Sequence, residues 1–151
     1  MRGFWLFLHY LGFILWLGAG IATMVAGVAS KRLANEDRLV VYRITGLVQR
    51  VIVGPGAMLV IFSGLALAMA VMKSGVVPGY LNLMMGAGLL GALFSVGIAV
   101  PAAARLGRLE LDARGELPEV FTDLRKRVIW SASAGGGLGL IALGAATIGR
   151  F

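Results

Sequence analysis

The chain has 151 residues, of which 59% are hydrophobic and 14% charged, with a mean hydropathy of +0.90. Soluble domains are about one-quarter charged, so this composition belongs to a membrane protein. The 14 Lys+Arg against 7 Asp+Glu give a net charge of +7, and there is one His and no Cys. That excludes disulfide frameworks, thiol nucleophiles, Cys-ligated zinc, iron–sulfur clusters and any site needing two imidazoles from one chain.

Charge-free intervals run from Arg2 to Lys31, Arg50 to Lys73, Lys73 to Arg105 and Arg127 to Arg150. Each can hold the roughly 20 apolar residues of a membrane helix. Ser74, Gly75, Pro78 and Gly79 split the third interval as a turn. The spans are therefore predicted at 4–29, 51–72, 80–104 and 128–149, in one domain covering residues 1–151. Such continuous apolar runs exclude a barrel, whose strands alternate. The first run is about twice the apolar core of a secretory signal, so it reads as a span.

Lys31, Arg32, Arg38, Arg43 and Arg50 lie in the first loop region, and Arg105, Arg108, Arg114, Arg125, Lys126 and Arg127 in the third. Only Arg2, Lys73 and Arg150 lie on the other side. Basic loops stay cytoplasmic. The expected fold class is an all-α membrane protein, four transmembrane helices in an antiparallel bundle, N-out and C-out, in a bacterial-type inner membrane. The +7 is thus a topology signal, and no nucleic-acid partner is expected.

Within the first loop region, Asn35 is expected to cap a helix with Glu36 and Asp37 in its first turn. That helix should run into span two, where Gly54-Pro55-Gly56 kinks or interrupts it. Pro118 marks a second helix start. Leu117, Val120, Phe121 and Leu124 then suit a segment lying against the membrane or a partner. Small residues recur at spacing four: Ser131, Gly135 and Gly139, beside Ala132 and Gly136, in span four, and Ala87, Gly91 and Ser95 in span three. These stripes predict helix–helix contact. They leave open whether it is made within the chain, in a homo-oligomer or in a larger membrane complex.

His9 lies about 10 Å along the helix from Arg2. An ionisable group at that depth is costly and marks a candidate site. Its helical face carries Phe13, Trp16, Gly20, Thr23 and Gly27, so it should look into the bundle. Met69, Met84 and Met85 fall within about 6–9 Å of the outer boundary, with Met72 beside them and His9 at similar depth. An imidazole with thioethers suits haem iron or Cu(I), and Arg2, Lys73 and Arg150 could face haem propionates. The plainer reading is a neutral His bonded to a neighbour, with Met as ordinary core filler. Gln49, Arg50, Trp130, Ser131 and Ser133 form a polar set at the cytoplasmic edge, read as interface anchors from its Trp and Arg, with an anion site there as the alternative. The spans carry no acid, so there is no carboxylate proton relay. No serine has a base in its own span, and Gly135-Gly136-Gly137 is no phosphate loop.

The segment Leu8-His9-Tyr10-Leu11-Gly12-Phe13-Ile14-Leu15-Trp16-Leu17-Gly18 resembles the opening helix of a group of membrane families. The group includes the HemJ-type protoporphyrinogen oxidases, the CopD-type copper-resistance membrane proteins and a related family of integral membrane proteins of unknown function. His9, Trp16, Gly18 and Gly20 carry the likeness. Tyr80-Leu81-Asn82-Leu83-Met84 looks like a second shared element. Pro101-Ala102-Ala103-Ala104-Arg105-Leu106 is most similar to the third family. The resemblance implies haem b at a site including His9. Where the oxidases have Lys, this chain has Met84, so the resemblance leaves oxidoreductase activity open. CopD-type proteins usually have more spans.

Three functions follow as expectations. The first is a haem-b-binding redox or haem-handling protein, its cofactor at His9, Trp16, Met84 and Met85. The second is copper handling through His9, Met69, Met72, Met84 and Met85. The third is a cofactor-free structural or assembly subunit of a membrane complex. No catalytic residue is assigned.

Overall fold

The computed structural model describes residues 2–73, 75 and 77–148. It contains four helices long and apolar enough to cross a membrane: α1 (Arg2–Arg32), α2 (Asn35–Met72), α3 (Gly79–Leu106) and α4 (Val120–Ile148). Each predicted span lies within one of these, except that Gly149 falls outside the described residues. Large apolar side chains point outward from every helix: Ile14, Ile21, Val25 and Val28 on α1, Leu65 on α2, Leu89, Leu90 and Leu93 on α3 and Leu140 on α4 are all exposed. A helical bundle in water would bury such residues, whereas lipid solvates them.

The basic first loop region is almost entirely helical. Asn35 is the first residue of α2 rather than its cap; Ala34 is the cap and makes no side-chain capping bond. The Asn35 amide instead donates to the Gly115 carbonyl at 3.2 Å, which ties the start of α2 to the loop after α3. As expected, Glu36 and Asp37 occupy the first turn, and α2 continues to Met72.

Gly54-Pro55-Gly56 does not interrupt α2. A five-residue π-turn, Gln49–Val53, immediately precedes it, and Ser95–Ala99 precedes Val100-Pro101 in the same way. A proline has no N–H and its ring clashes with the carbonyl four residues back. Widening that turn to the π form accommodates both effects without ending the helix. α1 has a third π-turn, Ile14–Gly18, where Gly56 of α2 packs on the backbone of Trp16.

Glycines set the helix crossings. A Cβ at Gly12 would stand 2.8 Å from Val60 Cγ2 and 2.9 Å from the Gly56 carbonyl oxygen, so α1 and α2 meet backbone to backbone. A Cβ at Gly91 would stand 2.7 Å from the Gly135 carbonyl oxygen, and one at Gly135 would stand 2.5 Å from Ser95 Oγ. Gly91 and Ser95 of the α3 stripe thus meet Gly135 of α4 within one chain, whereas Gly139 of the same α4 stripe packs on Leu17 and Trp16 of α1. Gly136 and Gly137, by contrast, have nothing within 4 Å.

The central core joins Phe13, Trp16, Val53, Ala57, Val60, Ala87, Ala92 and Ala142. A second core at the loop end joins Leu39, Tyr42, Leu106, Phe121 and Leu124. Helix α4 starts at Val120, two residues after Pro118, whose carbonyl accepts from the Phe121 N–H at 2.9 Å. Phe121 and Leu124 therefore face neighbouring helix ends rather than membrane or partner. Tyr42 meets Phe121 edge-on at 5.3 Å. The loop before α4 turns at Gly115, with φ +75°, and Asp112 Oδ1 accepts from the N–H groups of Arg114 and Glu116.

Candidate functional site

His9 sits on α1 against α2. Ser63 is fully buried, and its hydroxyl donates to the Leu59 carbonyl at 2.5 Å. With its proton used there, its oxygen accepts from His9 Nδ1–H at 3.0 Å. This arrangement suits the tautomer with the proton on Nδ1 and the lone pair on Nε2. Gly64 makes room for this ring: a Cβ there would be 3.0 Å from His9 Cε1. Phe13 packs edge-on against the imidazole at 5.1 Å and 88°. A hydrogen-bonded Nδ1 with an available Nε2 is the usual arrangement of a metal-ligating histidine.

A crevice of about 490 Å³ opens beside His9 between α2 and α3. Small-molecule sites typically measure about 300–1,000 Å³. Val60, Ile61, Gly64 and Leu65 form one wall, with Asn82, Met84, Met85, Gly86, Gly88 and Leu89 opposite. The structure thus brings His9, Met84 and Met85 to one cavity. Met69 and Met72 do not line it; they are 52% and 55% exposed on the outside of α2. Equal depth on a helix does not ensure a shared face, and the helical phase of α2 turns these two thioethers away.

Trp16 also lies apart from the crevice. It is 2% exposed, its Nε1–H donates to Ser95 Oγ at 2.8 Å, and Phe13 separates it from His9. Of the three cations expected at this end, Arg2 and Lys73 are exposed, and Arg150 lies outside the described residues. Among the described residues no three His, Cys, Asp or Glu side chains converge, so a metal here would draw on thioethers.

The set read as interface anchors divides. Trp130 is exposed and meets Phe94 edge-on at 5.4 Å, and Arg50 and Ser133 are exposed. Ser131 is buried and donates to the Arg127 carbonyl. Gln49 is not an anchor: it is 3% exposed and its amide donates to Thr23 Oγ1 at 2.9 Å.

Three polar contacts between helices were not read from the sequence: Ser63 to His9, Ser95 to Trp16, and Gln49 to Thr23. The available signal was a lone polar residue within each apolar or small-residue face, since such groups find partners inside a bundle. The chain matches no family model, no curated protein and no solved structure.

Proposed function

We propose that the chain is an antiparallel four-helix protein of a bacterial-type inner membrane, with termini outside, that holds haem b at the His9 crevice in a redox or haem-handling role. One observation carries this reading: His9 is fixed through Nδ1 to Ser63, and the same cavity receives Met84 and Met85. The donor set fits the group, since imidazole and thioether are both axial ligands of haem iron. The resemblance of the first span to the HemJ-type and CopD-type families points the same way.

His9, together with Met84 or Met85, would hold the group. Ser63 orients the ring, Gly64 allows it to lie against α2, and the apolar wall of Val60, Ile61 and Leu89 keeps water from the bound face. Bound haem would supply one-electron chemistry. Lys73 and Arg2, the described cations at this end, would face its propionates.

The test is the absorption spectrum of protein purified from haem-replete cells. A Soret band that His9→Ala abolishes, while the variant still folds, is the expected result. A colourless, folded wild-type protein would overturn the haem reading. Copper handling is the second reading, favoured by two thioethers and one imidazole in one cavity, a soft set suited to Cu(I). It expects Cu(I) binding without haem that falls on Met84→Leu and Met85→Leu but not on Met69→Leu or Met72→Leu.

A further inference from the structure

A second crevice lies away from His9, between α1 and α4, with α2 as its floor. Its loop-end section, about 240 Å³, includes Lys31, Tyr42, Gln49 and Arg125 in its lining. A deeper section of about 320 Å³ reaches Trp16, Leu17 and Leu140. Gly20, Met24, Gln49 and Ala132 line both sections, so the two adjoin along the cleft. From Lys31 to Leu17 along α1 is about 21 Å, longer than the roughly 15 Å of hydrocarbon in one leaflet. The cause is α1 itself: Ala19–Ala29 has no buried residue, its Gly20 and Gly27 being small and its contact with α4 slight.

The polar groups of this channel are incompletely used. Thr23 donates its hydroxyl proton to the Gly20 carbonyl at 2.9 Å. Its oxygen can therefore only accept from Gln49, which fixes the Gln49 amide with Nε2 on Thr23. Gln49 Oε1 is then left buried with no partner. A buried acceptor without a donor costs about as much as a lost hydrogen bond, so the missing partner is a donor. About 10 Å towards the loop end, the Tyr42 oxygen accepts from Arg125 Nε–H at 2.8 Å and keeps its own proton to donate. Lys31 and Arg125 bring two cations to the mouth, and no acid lines it.

We propose that this channel binds a single-chain lysophospholipid: a phosphate head at Lys31 and Arg125, a free hydroxyl below it donating to Gln49, and one apolar tail running towards Trp16. The elements follow in order along the cleft. Two cations without an acid suit a phosphate. The orphan carbonyl selects a hydroxylated linker. The narrow apolar run, open to lipid along Met24 and Leu140, takes one tail.

Trp16 provides the readout. In full-length protein carrying Trp5→Phe and Trp130→Phe, in neutral detergent, a lysophosphatidic acid with a nitroxide on its chain should quench Trp16 saturably. Gln49→Leu should weaken this binding about tenfold, the loss of one buried hydrogen bond. Arg125→Gln should weaken it and remove most of its salt dependence. A monoacylglycerol with the same labelled chain should bind at least tenfold more weakly. An alkyl phosphate lacking the hydroxyl should bind more weakly as well, and with an affinity that Gln49→Leu does not change. If Gln49→Leu does not fold, Ala132→Phe, which fills the channel where its two sections meet, should abolish saturable quenching. Quenching that rises linearly with probe, or an affinity identical in wild type and Gln49→Leu, would overturn the proposal. None of these residues touches the His9 crevice, so the result is independent of the haem reading.

Discussion

Replacing Gly135 with Ala adds one methyl group at the tightest point of the α3–α4 interface. The new Cβ would stand 2.5 Å from Ser95 Oγ and 2.9 Å from the Gly91 carbonyl oxygen. Both neighbours are constrained. The Gly91 oxygen is helix backbone, and Ser95 Oγ both donates to it at 3.0 Å and accepts from Trp16 Nε1 at 2.8 Å. Either the helices separate or Ser95 rotates and leaves the buried indole N–H unpaired. Overpacking costs about 1–3 kcal/mol, and an orphaned buried donor about 1–3 kcal/mol. The better helix propensity of Ala returns about 1 kcal/mol. The expected net loss is about 0–2 kcal/mol where only one cost is incurred and about 1–5 kcal/mol where both are. Gly136→Ala and Gly137→Ala, which add a methyl into open space, should be neutral or slightly stabilising. Denaturation of the purified protein in mild detergent, followed by Trp emission, compares the three. Trp16 emission should shift in Gly135→Ala alone. Equal stability of Gly135→Ala and Gly136→Ala would refute the interface as the determinant of packing.

Three further outcomes are expected. Ser63→Ala should keep the fold, since His9 and Ser63 share a single bond, but lower metal or haem affinity about 10–100-fold by freeing the ring; spectral titration measures this. Gly56→Leu should prevent α1 from docking, because even a Cβ there would be 2.8 Å from the Trp16 backbone nitrogen; loss of the folded wild-type peak on size exclusion in detergent reports it. Because the chain has no Cys, the single substitutions Asp112→Cys and Gly75→Cys can be labelled without background. The proposed orientation, termini outside, expects a membrane-impermeant maleimide applied from outside to label position 75 and not position 112; the reverse pattern would refute it.

Much of the architecture was legible in the primary structure, because charge is expensive in hydrocarbon and the gaps between charges therefore mark the spans. The four intervals located four helices, and the Gly, Ala and Ser stripes marked surfaces for close helix–helix approach without naming their partners. Local chemistry was less legible where several groups compete for one role. Asn35 looks like a cap, yet its amide reaches Gly115 across the loop. Gly54-Pro55-Gly56 reads as a kink or a break, and the helix continues through it behind a π-turn.

At the candidate site the sequence supplied residue type and depth: an intramembrane His9, aligned with thioethers along the bundle axis. It could not supply azimuth. Depth follows from rise per residue, whereas the direction of a side chain around its helix, relative to a neighbour, depends on how two helices rotate when they pack. Only the tertiary structure therefore separated Met84 and Met85, which line the cavity, from Met69 and Met72, which face outward. The same limit hid the partners of His9, Trp16 and Gln49, each of which lies on another helix at least 26 positions away. Composition determined that the chain is built for a membrane and where it crosses. Helix rotation and close glycine contact decided which of its few polar groups meet.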